Sequence, residues 1–246
     1  EVARELDRVR LGYASVSLDS PDPASNDRGR PGTSFAGAAR ALDLLRTHSP
    51  RTSLAVGMTV TRENSSQLAD MVRTAADLGA GFVKFQPMHL HLDQAPGAET
   101  AGLPVDPRAR LVPDEQDWPA LRAELARAQR LADDRGVVCN ARMLLQEFAA
   151  VLAGRRTLPC VAGRSVVYID AGGRVGGCPQ RMTRASLFQR TLAELLADEA
   201  DVFRHADGCA VLGSCYDTTY GELSHLQGRR GRDHARNVLD RARFYV

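Results

Sequence analysis

The chain predicts an α/β fold, and three observations predict it. Short apolar segments alternate with helix-patterned ones through the first 155 residues, with connections of a few residues. The strands carry one apolar and one polar face, and a glycine-turned hairpin bounded by cysteines opens the last third of the 246 residues. Strand following helix with short connections implies parallel strands covered by helices, whereas the hairpin belongs to a smaller antiparallel unit.

In order along the chain, Val2, Leu6 and Val9 lie at helical spacing, residues 14–19 (ASVSLD) read as a strand, and residues 34–47 read as a helix. A strand over 54–61 and a helix over 65–78, stopped by Gly79, come next. A strand over 81–87 leads into a Pro/Gly-rich stretch, and His89 to Pro113 forms the only long irregular insert, a candidate lid or substrate loop. A long helix over 117–135, a short strand over 137–140 and a helix near 143–152 complete this part. We therefore expect two domains, 1–155 and 156–246. No repeat of fixed period is evident.

The strand faces say more than the fold class. Val16 and Leu18 share one face while Ser15, Ser17 and Asp19 share the other; Val83 and Phe85 oppose Phe82, Lys84 and Gln86. Strands of a doubly wound sheet are apolar on both faces, so a polar second face points instead to a partly open barrel around a hydrophilic ligand. Lys84 is the only lysine against 31 arginines. It reads either as an inward functional group or as a strand-end side chain reaching solvent.

Four of the five cysteines fall from residue 160 onward, as Cys160-x12-Gly173-x4-Cys178 and Cys209-x5-Cys215. Ser165, Val167 and Ile169 alternate before Ala171-Gly172-Gly173, which reads as a hairpin whose open end would bring Cys160 and Cys178 together. Cys209 and Cys215, flanked by Gly208 and Gly213, would fold over them. Thiolates in this pattern suit an iron–sulfur cluster or zinc, against the plainer readings of buried free cysteines or two disulfides. Cys139, in the apolar strand VVCNA, reads as core.

Composition sets limits. With 43% hydrophobic residues and no apolar run of 18, the sequence has no membrane-spanning segment. The 32 basic and 30 acidic residues are interspersed for a net charge of +2, which gives no extended nucleic-acid surface; Arg229, Arg230 and Arg232 read as a solvated face. No secretory signal is present, so reduced thiols in a cytoplasm are expected. The chain opens at Glu1 directly into a helical pattern, as though entering a domain midway. No P-loop, GxGxxG or Ser-His-Asp order supports a kinase, nicotinamide enzyme or hydrolase.

The segments VSLDSPDPASNDRGRPGTSF, VGMTVTREN and AADLGAGFVKFQPM, followed by the Cys160–Gly173–Cys178 element, together resemble the radical S-adenosylmethionine superfamily, in its branch with a C-terminal SPASM or twitch auxiliary-cluster domain. The resemblance covers nearly the whole chain. It implies a partial (β/α)6 barrel lacking its first strands, followed by a small α+β twitch/SPASM-like domain. It also implies S-adenosylmethionine as cofactor, one [4Fe–4S] auxiliary cluster, and a second [4Fe–4S] cluster that cleaves the cofactor to a 5′-deoxyadenosyl radical. The CxxxCxxC loop for that second cluster and the GGEP-like segment are not in this sequence; the resemblance places them in a preceding portion.

By position, Ser17 resembles the serine that bonds the cofactor's ribose, and Arg28 the arginine that pairs with its carboxylate. Without the resemblance they read as a turn serine and a solvated arginine. Asp19, Lys84, Gln86 and His89 are the candidate substrate contacts; His91 and Asp93 lie beside His89 in the same insert. Cys160, Cys178, Cys209 and Cys215 would hold the auxiliary cluster. The position where a longer SPASM pattern might place another cysteine is Thr219, which favours the shorter twitch form.

The resemblance further implies an electron donor such as flavodoxin or ferredoxin. The short form points to oxidation, dehydration or decarboxylation of a natural-product small molecule such as a sugar or nucleoside, as in antibiotic biosynthesis, with peptide maturation as the alternative. Readings of another class are a non-catalytic binding module and a structural zinc protein.

Overall fold

The computed structural model describes residues 1–30, 32, 34–88, 111–142, 144–145, 167–178 and 181–203. Among them, β1 (Tyr13–Ser17), β2 (Ser53–Val60), β3 (Phe82–Pro87) and β4 (Val138–Cys139) form one sheet in that order, every pair parallel. Strand order equal to sequence order means that each crossover steps the same way. Right-handed crossovers then place every connecting helix on the same face.

That is what is found. Helices α3 (Phe35–His48), α4 (Leu68–Asp77) and α5 (Trp118–Arg135) contribute Leu42, Leu45, Leu68, Met71, Val72, Leu121, Leu125 and Ala128 to one core. The strands meet them with Val56, Met58, Val83 and Phe85, all buried, and with Val16. Helix α1 (Val2–Arg8) adds Ala3 and Leu6 at the margin. A doubly wound sheet would have helices on both faces and a reversal in strand order; this sheet is wound once, as a barrel wall is.

The helix ends follow from local chemistry. Ser34 accepts the Gly37 backbone N–H at 3.0 Å and caps α3. Helix α4 begins at Leu68, three residues later than its apolar pattern predicts. Asn64 claims the preceding turn: its Oδ1 accepts the Thr61 N–H at 2.8 Å, and its Nδ2 donates to Thr59 O and Asp19 O. The sequence reading missed a further helix, α2 (Pro23–Gly29), although its signal is present. Asp22 accepts the Ser25 N–H at 2.7 Å and Pro23 occupies the first helical position.

A second sheet contains β5 (Tyr168–Ile169), β6 (Arg174–Cys178) and β7 (Arg181–Ser186), all antiparallel. The expected hairpin is therefore present, turned at Gly173 with φ +75°. The sequence reading did not foresee β7. Gly176 makes its approach feasible, because a Cβ there would lie 1.9 Å from Arg181 O, at a register irregularity between the two strands. Helix α6 (Leu192–Asp198) has a capping box between Thr191 and Glu194 and buries Leu195 against Val175 and Phe203.

Candidate functional site

Because the described helices pack on one face of the parallel sheet, the other face is set by the alternate residues of each strand. At its lower end Ala55 pairs with Phe82 and Phe82 with Val138, and both Ala55 and Phe82 are buried in a small cluster with Tyr13. One row up, Ser17 is in register with Gly57, and Gly57 with Lys84. One row further, Thr59 pairs with Gln86. The face thus passes from an apolar floor to hydroxyl, ammonium and amide groups toward the C-terminal ends of the strands, where parallel α/β folds bind ligands.

The loop beyond β1 is held by a dense set of bonds. The Asp19 backbone N–H donates to Asn26 Oδ1 at 2.9 Å, and Asn26 is buried. The Asp19 Oδ1 accepts the Thr59 N–H at 2.8 Å, and its Oδ2 accepts Arg30 Nε at 2.6 Å. Ser20 Oγ donates to Gln67 Oε1 at 2.9 Å, and Asp27 Oδ1 accepts the Phe35 N–H at 2.6 Å. Asp19 is therefore a fastener between β1, β2 and the α2 segment. Both of its carboxylate oxygens are engaged within the protein.

The structure brings Ser17, Lys84 and Gln86 to one face. Ser17 is exposed at the end of β1, whereas Lys84 and Gln86 are half-buried. Arg28 lies in the last turn of α2, exposed, with its guanidinium donating to Ser25 Oγ at 2.9 Å. Its neighbour Arg30 reaches back to the strand end. Cys178 ends β6, half-buried and outside any disulfide. Cys139 packs at the edge of the main core, with its Sγ 3.7 Å from Gln129 Oε1. His89, His91, Asp93, Cys160, Cys209 and Cys215 lie outside the described residues, as does most of the helix expected near 143–152. Among the described residues no group of three His, Cys, Asp or Glu side chains could hold a metal ion, and no helix is long and apolar enough to cross a membrane. Of the cluster's expected ligands only Cys178 falls within those residues; a thiolate is a soft ligand of the kind such a cluster takes.

The sequence reading passed over Asn26, Asn64, Arg30 and Gly57. The two asparagines resemble ordinary turn residues, and only their burial shows that they organise the strand ends. A separate groove of about 400 Å³ runs between α4 and α5, lined by Asp70, Arg73, Arg127, Arg130 and Asp134 among others. Its Arg73 and Arg127 are paired with Asp70.

Neither a family model nor a curated protein matches the chain. Solved structures do. Native anSMEcpe with bound AdoMet superposes with a TM-score of 0.56 at 12% identity, covering 98% of this chain and 68% of that one. The same protein with bound AdoMet and Kp18Cys peptide gives 0.51 at 13%, over 87% of this chain and 60% of that one. With AdoMet and Cp18Cys peptide it gives 0.53 at 13%, over 98% and 69%. At such identity the likeness is one of architecture: the chain shares the partial-barrel-like α/β fold seen in anSMEcpe.

Proposed function

We propose that this chain works in an S-adenosylmethionine-dependent radical enzyme, with the polar face of the parallel sheet as the wall of its ligand site. The observation that carries the reading is the single-faced winding. Among the described residues it leaves Ser17, Lys84 and Gln86 on the side away from the helices, toward the strands' C-terminal ends, in a fold whose solved neighbours hold AdoMet. When bound, the cofactor and its cluster would supply the radical chemistry for hydrogen abstraction. The protein's share is to hold and orient. Ser17 offers a hydroxyl that both donates and accepts, Arg28 a guanidinium suited to a carboxylate, and Lys84 and Gln86 the substrate side. Cys178, with Cys160, Cys209 and Cys215, would hold the auxiliary cluster.

For the substrate we favour a small polar molecule such as a sugar or nucleoside, which the hydroxyl, amide and ammonium groups suit. The peptide reading has its own support, since anSMEcpe has been solved with Kp18Cys and Cp18Cys peptides.

Iron and sulfide analysis after anaerobic reconstitution tests the proposal. We expect about four irons per chain, the content of one [4Fe–4S] cluster, lost in Cys178→Ala and kept in Cys139→Ala. Zinc without sulfide, or a cluster undiminished in Cys178→Ala, would overturn it in favour of a structural zinc protein or a different ligand set.

A further inference from the structure

Helices α4 and α5 lie side by side and run the same way, since Glu124 reaches Ala69 at the start of α4 and Arg135 reaches Asp77 at its end. Their outer sides border two adjoining hollows of about 400 and 370 Å³ that share Arg127 and Arg130. On α5 the lining positions Ala120, Ala123, Arg127, Arg130 and Asp134 recur every three or four residues and so form one stripe, about 20 Å long. The core side of α5 is a different face, carrying Leu121, Leu125, Ala128 and Ala132.

The charges around the hollows balance: Arg73, Arg127 and Arg130 stand against Asp70, Glu124 and Asp134. Asp70 takes Arg73 at 2.6 Å and Arg127 at 3.7 Å, and Glu124 takes Arg127 at 3.1 Å. Arg130 and Asp134 are left over. Both are exposed, and neither has a hydrogen-bond or ion-pair partner among the described residues. They stand one helical turn apart, but with the arginine N-terminal to the carboxylate the order is the weaker one for pairing within a helix. Asp134 also lies in the last turn of α5, where the negative end of the helix dipole opposes it. Its neighbour Asp133 is compensated there by Gln129 at 3.0 Å and Arg142 at 3.3 Å. Asp134 is not.

We propose that this stripe of α5 is an interface between two copies of the chain, related by a two-fold axis that crosses α5 between Arg130 and Asp134. The axis sets the two α5 helices antiparallel, so that Arg130 meets the partner's Asp134 while Asp134 meets the partner's Arg130. The hollow that both side chains line gives each incoming guanidinium room. An interface of this symmetry has to be complementary to itself. A patch of balanced charge with one unpaired cation and one unpaired anion on a single stripe meets that condition, whereas a purely acidic or purely basic partner would leave one of the two charges opposed.

Sedimentation velocity on the full chain tests this. The parent should associate reversibly at roughly micromolar affinity, in the range of small polar interfaces. Arg130→Asp and Asp134→Arg each set like charges against each other twice across the axis, and each should weaken association about tenfold or more. Mixed in equal amounts, the two variants should dimerise at least as well as the parent, because the carboxylates of one then face the guanidiniums of the other at both places. Recovery on mixing also shows that both variants are folded.

The interface is overturned if the parent stays monomeric, if either variant associates as the parent does, or if mixing restores nothing; the last result assigns the two side chains to a different partner. No cofactor or cluster enters the measurement, so its outcome is independent of the radical-enzyme reading.

Discussion

Asn140 and Phe85 are joined twice: Asn140 Oδ1 accepts the Phe85 N–H at 2.8 Å and its Nδ2 donates to Phe85 O at 2.9 Å. The β3–β4 ladder ends at Val83 and Cys139, so this side chain continues it where the backbone of the short strand has turned away. Phe85 is fully buried, and water does not replace either bond. Asn140→Ala should cost about 2 kcal/mol or more, because it leaves a buried donor and acceptor without partners. Urea unfolding measures this; a midpoint equal to the parent's would show that the segment simply closes up.

Glu124 on α5 does for α4 what α4's own sequence does not. Gln67, the residue before the helix, makes no side-chain cap, and Glu124 Oε1 accepts the Ala69 N–H at 2.9 Å from 55 residues away. A carboxylate at a helix N-terminus also meets the positive end of its dipole. Arg127 pairs with the same carboxylate at 3.1 Å. Glu124→Ala should lower stability by about 1–3 kcal/mol. Glu124→Gln, which keeps the acceptor, should recover part of that loss.

Arg62 clamps the segment that returns from the long insert. It bonds Asp117 at 2.9 Å and Asp114 at 2.5 Å, and its backbone N–H donates to Leu111 O. The Asp117 carboxyl is held below the usual carboxylate range, chiefly by the Asp114 N–H and also by Arg62. A depressed value in the folded state stabilises at every pH above the unfolded value, about 3.9, and that contribution fades as pH falls through the folded value. Asp117→Asn should therefore melt below the parent at pH 7 and converge with it in strong acid. A gap in melting temperature that does not change between pH 7 and the acid limit would exclude this linkage.

Arg28 and Arg30 lie two residues apart and make separable predictions. Arg30→Ala releases Asp19 from a half-buried ion pair and should lower the melting temperature by about 2–4 °C, the shift expected for 1 kcal/mol in a chain of this size. Arg28→Ala, which loses only an exposed bond to Ser25, should leave the melting temperature unchanged and weaken S-adenosylmethionine binding about tenfold or more. Equilibrium dialysis and thermal melts on both variants separate the two roles. Unaltered cofactor affinity in Arg28→Ala would remove it from the cofactor site.

The amino-acid sequence by itself determined the elements and their faces. Helical spacing of Val2 and Leu6, alternation through Val16 to Leu18 and Phe82 to Gln86, and the glycine turn before Arg174 are local properties, carried by residues within one or two turns of each other. They therefore survive into the structure nearly unchanged, with the ends displaced by a residue or two. The start of α4 moved further, because Asn64 bonds to Asp19, 45 residues away, and that partner is invisible from the turn itself. The same holds for the site. Polar faces on two strands were legible, but nothing local says that Ser17, Gly57 and Lys84 share one row, since register depends on how three separated strands bury their opposite faces against α3, α4 and α5. Nor does the sequence show that Asp19, which looks like a substrate contact, is bound to Thr59 and Arg30. Hydrogen-bond partners 11 and 40 residues apart are chosen by packing, and packing exists only once the chain has closed around its core.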